Sequence, residues 1–187
     1  MTRQEIERAL RRLGMLANRQ NMHIRLFLVG GSALTLGFNL RESTRDIDGL
    51  ILAPEDHDAL KEMIAIVGQE MNLRANWLND DVRIFVTKIS EGPVLLDAPG
   101  ITVQRAATEQ LLAMKLAASR DMQDDRDAMA LLEELILVQP RLSKTEAWQQ
   151  IEPFVPFQPG LKLRARELLD HFWQQRERDD SNQDPDT

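Results

Sequence analysis

Asp46 and Asp48 stand two residues apart in Asp-Ile-Asp-Gly-Leu-Ile-Leu, and Gly30-Gly31-Ser32 closes the apolar run Ile24 to Val29. On a strand, residues i and i+2 face the same way, so both carboxylates and Leu50 share one face. Like charges side by side destabilise a sheet unless something neutralises them. Either the pair lies exposed on an edge strand or caps nearby backbone, or it holds a divalent cation, Mg²⁺ or Mn²⁺. Such an ion takes its remaining ligands from water and substrate phosphates. The glycines supply the complementary half. They allow a tight turn and bring backbone N–H groups close to a ligand without a Cβ in the way. A helix start placed there adds unpaired donors suited to phosphate oxygens, and Ser32 adds a hydroxyl. Strand, Gly-Gly and helix also occur together for packing reasons alone, so the turn gains meaning only beside the two acids.

Lys115 is a third candidate. Leu111 and Leu112 precede it by one turn and Leu116 follows, so it emerges from the apolar side of its helix. Either it snorkels to solvent or its ammonium points at anionic substrate groups. Arg120 either serves the same role or pairs with Asp124. Asp124, Asp125 and Asp127 suit a solvated helix start.

The elements that must position these residues follow from periodicity. Residues 3–20 carry Ile6, Leu10, Leu13 and Leu16 at helical spacing. Ile24–Val29 reads as a strand, and Ser32 caps a short helix from Ala33 to Phe38. Asp46–Leu52 is a second strand, stopped by Pro54, and Glu55–Asn72 a second long helix. Val82–Ile89, Pro93–Leu96 and Ile101–Arg105 are short strand candidates. Helices follow at Thr108–Ser119, Asp124–Val138, Ser143 to near Pro153, and Leu161 to about Arg178, with Pro153, Pro156 and Pro159 keeping one connection extended. The expected class is α/β: a mixed sheet flanked by helices in residues 1–106, a helical region in 107–178, and a polar tail, 179–187, without apolar residues to bury.

Composition narrows the function. The 187 residues include no cysteine, which removes disulfides and thiolate chemistry, and three histidines that match no metal-ligand spacing. No apolar run approaches the roughly 18 residues of a spanning helix, and the first residues lack the apolar core of a signal peptide, so a cytoplasmic protein without membrane contact is expected. A net charge of −7 argues against a general nucleic-acid coat but leaves room for a local basic patch. Arg41 and Arg45 beside the acids, and Arg8, Arg11, Arg12 and Arg19 of the first helix, either offer a surface to an anionic acceptor or are solvated. For the first helix solvation is the plainer reading.

Gly31-Ser32 followed after thirteen residues by Asp46-Ile47-Asp48 resembles the signature of the nucleotidyltransferase superfamily, with its polymerase beta-like fold. Arg41, Thr44, Asp46 and Asp48 are similar to a stretch in bacterial nucleotidyltransferase-like proteins of unknown function and in AbiEii-type toxins of toxin–antitoxin systems. The likeness resumes at Leu111 to Leu116, Arg120, Asp124 and Asp127, and so spans about residues 24–135. It implies a nucleoside triphosphate held by Gly30, Gly31, Ser32, Arg41, Thr44, Lys115 and Arg120, with the metal on Asp46 and Asp48. Asp46, Asp48 and Lys115 would be the catalytic set, with Asp124 and Asp127 a structural or cleft-lining pair. It also implies an acceptor, tRNA or other RNA or a protein side chain, and an antitoxin partner. Polymerase-like members place a third carboxylate on a later strand, and two-metal phosphoryl transfer uses it. Here Val82-Arg83-Ile84-Phe85-Val86-Thr87 contains no acid, and Asp80, Asp81 and Asp97 do not fit the position. A non-catalytic nucleotide-binding or protein-interaction module with the same fold is therefore the alternative to an enzyme.

Overall fold

A computed structural model describes residues 1–54, 57–86, 88–118 and 122–182. The chain divides into two compact units, Met1–Ala107 and Thr108–Thr187. The first is α/β. Helix α1 (Arg3–Arg19) opens on a capping box in which the Thr2 hydroxyl accepts from Glu5 N–H and the Glu5 carboxylate accepts from Thr2 N–H. That Thr-x-x-Glu spacing satisfies two orphan donors reciprocally. Ile6, Leu10, Leu13 and Ala17 form its buried stripe.

Strands β1 (Ile24–Leu28), β2 (Ile47–Ala53), β3 (Leu78–Asn79), β4 (Glu91–Ala98) and β5 (Ile101–Ala106) form one mixed sheet in the order β3-β2-β1-β5-β4. β1 is central, antiparallel to β2 and parallel to β5. Its residues read Ile-Arg-Leu-Phe-Leu, and all but Arg25 are buried, as a strand covered on both faces requires. β4 is an edge strand, and it carries Pro93. Helix α1 packs on β5, and α3 (His57–Glu70) packs on α1. The Trp77 indole, buried, donates to Ile64 O at 2.9 Å and ties the middle of α3 to the approach to β3.

Three expectations change in this unit. The helix after β1 starts at Gly30, not Ala33: α2 (Gly30–Ala33) continues as a π turn over Leu34–Phe38 and ends at Asn39 in the left-handed region. β2 starts at Ile47, which leaves Asp46 in the bend before the strand. The candidate strand Val82–Ile89 is instead a 3₁₀ turn over Asp81–Ile84. Its Val-x-Ile-x-Val alternation fits a strand, but Ile84 is 79% exposed, so among the described residues no layer covers it. Arg83, itself exposed, donates to Ile51 O at 3.0 Å and to Asp80 at 3.2 Å. It satisfies a β2 carbonyl beyond the short pairing with β3, which reaches only Ile47 and Asp48.

The second unit is helical: α4 (Thr108–Ala118), α5 (Met122–Val138), α6 (Lys144–Ile151) and α7 (Pro159–Asn182), with a 3₁₀ turn at Glu152–Phe154. Ser143 caps α6 as expected, in a second capping box closed by Glu146. Helix α7 runs beyond the expected end near Arg178 to Asn182, and residues 183–187 of the expected tail lie outside the described residues. Among the described residues no helix is long and apolar enough to cross a membrane.

Candidate functional site

In the first unit the turn and Asp48 meet because β1 and β2 are antiparallel neighbours. Leu28 pairs with Gly49, which sets the end of β1 against the start of β2. Val29 N–H then donates to Asp48 O at 3.1 Å. Gly30 follows with φ of 60°, in the left-handed region that favours glycine. A Cβ on Gly30 would stand 3.0 Å from Asp48 Oδ2, so the carboxylate lies directly over the turn.

Gly31 is buried and equally crowded. A Cβ there would meet Thr44 Oγ1 at 2.8 Å and an Arg41 guanidinium nitrogen at 3.1 Å. Thus a carboxylate lies against one glycine, and a hydroxyl and a guanidinium against the next. Asp46, Asp48, Arg41 and Thr44 are all half-buried.

The scaffold holds this arrangement from several sides. Ile47, fully buried between the two aspartates, donates its N–H to Trp77 O at 2.7 Å. The loop bearing Arg41 and Thr44 is tied to the start of α1: Thr2 bridges Ser43, and Thr44 N–H donates to Met1 O at 2.9 Å. The Met1 amino group also donates to Thr44 O.

Ser32 does not cap the helix. It lies in the third position, fully buried, and its hydroxyl donates to Val29 O at 2.9 Å with Asp48 O at 3.3 Å. The capping position falls to Val29, whose side chain has nothing to offer. A hydroxyl has one proton, and here two backbone carbonyls share it. Ser32 therefore fastens the turn to the aspartate-bearing strand, and what it presents elsewhere is lone pairs.

Lys115, Asp124 and Asp127 belong to the second unit and form a cluster of their own. The Lys115 ammonium lies 2.7 Å from Asp124 Oδ1 and 2.8 Å from Asp127 Oδ2, with the side chains 12%, 7% and 2% exposed. Gln123 adds a hydrogen bond to Asp127 at 3.0 Å. The two aspartates, three apart on α5, occupy one helix face and meet the lysine of α4 together. The Asp-x-x-Asp spacing signalled this pair, but not that Lys115 is its partner. Arg120 lies outside the described residues.

Sequence reasoning also missed Arg105. Its guanidinium lies 3.9 Å from the Phe38 ring centroid and donates to Ala106 O at 2.8 Å. A cation over a ring face leaves no sequence signature when the partners are 67 positions apart. In the second unit an open groove of about 600 Å³ is lined by Gln139–Leu142 with Glu146, Gln149 and Gln150. None of these belongs to the sequence-predicted site.

Among the described residues, no three His, Asp or Glu side chains are grouped to hold a metal ion. Asp48, over the turn, and Asp46, in the bend before β2, would supply two carboxylates at most. That number suits Mg²⁺, which keeps waters and binds through one or two carboxylates plus substrate phosphates. In comparisons with known proteins, no family model, no curated protein and no solved structure matches this chain.

Proposed function

We propose that the Gly30–Asp48 site binds a nucleoside triphosphate with Mg²⁺ or Mn²⁺ and transfers its nucleotide to an acceptor hydroxyl. The observation that carries this reading is the contact of Asp48, Thr44 and Arg41 with consecutive glycines. A turn crowded by a carboxylate on one side and a cation with a hydroxyl on the other suits a phosphate and its counter-ion. Packing alone does not require polar groups there.

In this reading Asp46 and Asp48 would hold the metal, which when bound would supply charge neutralisation to the phosphate oxygens. The Arg41 guanidinium and the Thr44 hydroxyl donate to the triphosphate, and the close glycine backbone lets it approach. Fixed donors of this kind stabilise the charge that develops as the acceptor attacks and pyrophosphate leaves. Lys115, in the second unit, already answers two carboxylates, Asp124 and Asp127. The acceptor is an RNA end or a protein side chain. A toxin role with an antitoxin partner belongs to the same proposal.

A second reading, a nucleotide-binding or protein-interaction module without turnover, is favoured by one observation. The segment expected to carry a third acid is a 3₁₀ turn with Arg83 bonded to β2. Incubation with each α-labelled nucleoside triphosphate, Mg²⁺ and bulk RNA separates the two. Transfer predicts label in RNA or protein from the wild-type chain and none from Asp46→Ala/Asp48→Ala. Nucleotide binding without label under any nucleotide leaves only the second reading.

A further inference from the structure

Helix α1 carries a row of positive charge that the proposed chemistry does not use. At 3.6 residues per turn, Arg8, Arg11, Met15 and Arg19 fall within roughly an 80° arc, opposite the buried stripe of Ile6, Leu10, Leu13 and Ala17. The three arginines are exposed, and Met15 between them is 49% exposed. The acids of α1 itself, and the one paired with it, stand at the margins of this arc. Glu7 pairs with Arg3, Glu5 closes the capping box, and Glu70 of α3 takes a two-pronged hydrogen bond from Arg12 at 2.7 and 2.6 Å. Glu5 and Glu70 feel Arg8 and Arg19 as nearby charges. No side-chain hydrogen bond or ion pair joins Arg8, Arg11 or Arg19 to another described residue. On a chain of net charge −7, this is a local reversal of sign.

The position of the row matters as much as its sign. The start of α1 is fastened to the loop whose Thr44 faces Gly31, through the Thr2–Ser43 bridge and the Met1–Thr44 hydrogen bond. At a rise of 1.5 Å per residue, Arg8 and Arg19 stand roughly 9 and 26 Å along the axis from Thr2. The cationic row therefore leads away from the candidate site in steps of one to two helical turns.

We infer that this face of α1 is a docking rail for the backbone of an RNA strand whose terminal hydroxyl is the acceptor. The assignment of the strand's end rests on the nucleotidyl-transfer reading; the rail itself does not. Guanidinium forks pair with phosphate oxygens, and Met15 gives an intervening base an apolar surface. An acidic peptide would meet the same charges. Continuity with the Thr44 loop favours a polymer that offers a hydroxyl at one end.

The test is fluorescence anisotropy of a labelled single-stranded RNA oligonucleotide against the full chain, without nucleotide, over a salt series. The triple variant Arg8→Ala/Arg11→Ala/Arg19→Ala is expected to bind about tenfold more weakly. Its log K against log salt should be shallower by about 2, since each phosphate contact contributes roughly 0.7 for single strands. Arg74→Ala/Arg126→Ala/Arg141→Ala removes the same charge from exposed arginines elsewhere and should bind as wild type does. Equal losses in both triple variants, absence of RNA binding, or tighter binding of polyglutamate through the same arginines each overturns the rail. Asp46→Asn/Asp48→Asn should keep the binding. If it does and the wild-type chain labels neither RNA nor protein with any nucleotide, the rail stands and the transfer reading falls. If RNA is labelled with unchanged KM by the arginine variant, transfer stands and the rail falls.

Discussion

Gly30 shows how little freedom the candidate site leaves a single residue. Its positive φ and the 3.0 Å approach of Asp48 Oδ2 are independent reasons against a side chain. Gly30→Ala is expected to cost about 1–2 kcal/mol for the left-handed backbone, read by urea unfolding, and to lower triphosphate affinity by displacing Asp48. Unchanged affinity in a folded Gly30→Ala protein would separate the turn from the ligand. Lys115 is constrained differently, by charge. Lys115→Met keeps the stem but leaves two buried carboxylates facing each other, and breaking a buried pair costs about 3–5 kcal/mol. A loss below about 1 kcal/mol in urea unfolding would mean that the cluster is not desolvated as its geometry indicates. The residue types at both places were legible in the sequence. Spacing implied only that the glycine turn and the acids act together. That Asp48 covers Gly30, and that Asp124 and Asp127 partner Lys115, depends on how β2 returns past β1 and α5 past α4.

At the scale of elements, legibility tracked how local the determining forces are. The periodic stripe of α1, the capping box at Ser143 and the strands Ile24–Leu28 and Ile101–Ala106 are written in residues close in sequence. The 3₁₀ turn at Asp81–Ile84 is not, because its alternation of apolar residues fits a strand until the absence of a covering layer among the described residues overrides it. The π turn over Leu34–Phe38 likewise has no side-chain cap to announce it in the sequence. The tie between α1 and α3 allows a pH prediction. Hydrogen bonding to Arg12 holds the Glu70 carboxyl below the ordinary carboxylate range. A depressed folded value means that the contribution is fully present above the unfolded pKa and is lost as pH falls through the folded one. Glu70→Gln should therefore flatten the acid limb of the stability profile and leave its shape near neutrality unchanged. An acid limb identical to wild type, followed by circular dichroism, would deny the pair any linkage.

For the whole molecule the sequence carried the class more fully than the chemistry. A mixed sheet flanked by helices, followed by a helical half, follows from the order of apolar patterns. Whether the first unit binds nucleotide can be read from global stability. A ligand that binds only the folded state adds about 2.7 kcal/mol at one hundred times its Kd. Mg²⁺ with the cognate triphosphate should accordingly raise the thermal midpoint of the wild-type chain. Chelation of the metal, or Asp46→Ala/Asp48→Ala, should remove the rise, and a rise that survives both would place the ligand elsewhere.

The two ends of the sheet bear on how copies of the chain behave in company. Strand edges with unpaired donors and acceptors invite pairing with other chains. One edge here is β3, only two residues long, beyond which Arg83 already occupies the Ile51 carbonyl. The other is the eight-residue β4, where Pro93 contributes no N–H and an irregular register breaks the ladder on either side of Val94. Neither edge offers a long, regular template, so the sheet is guarded against edge-to-edge aggregation by its own sequence.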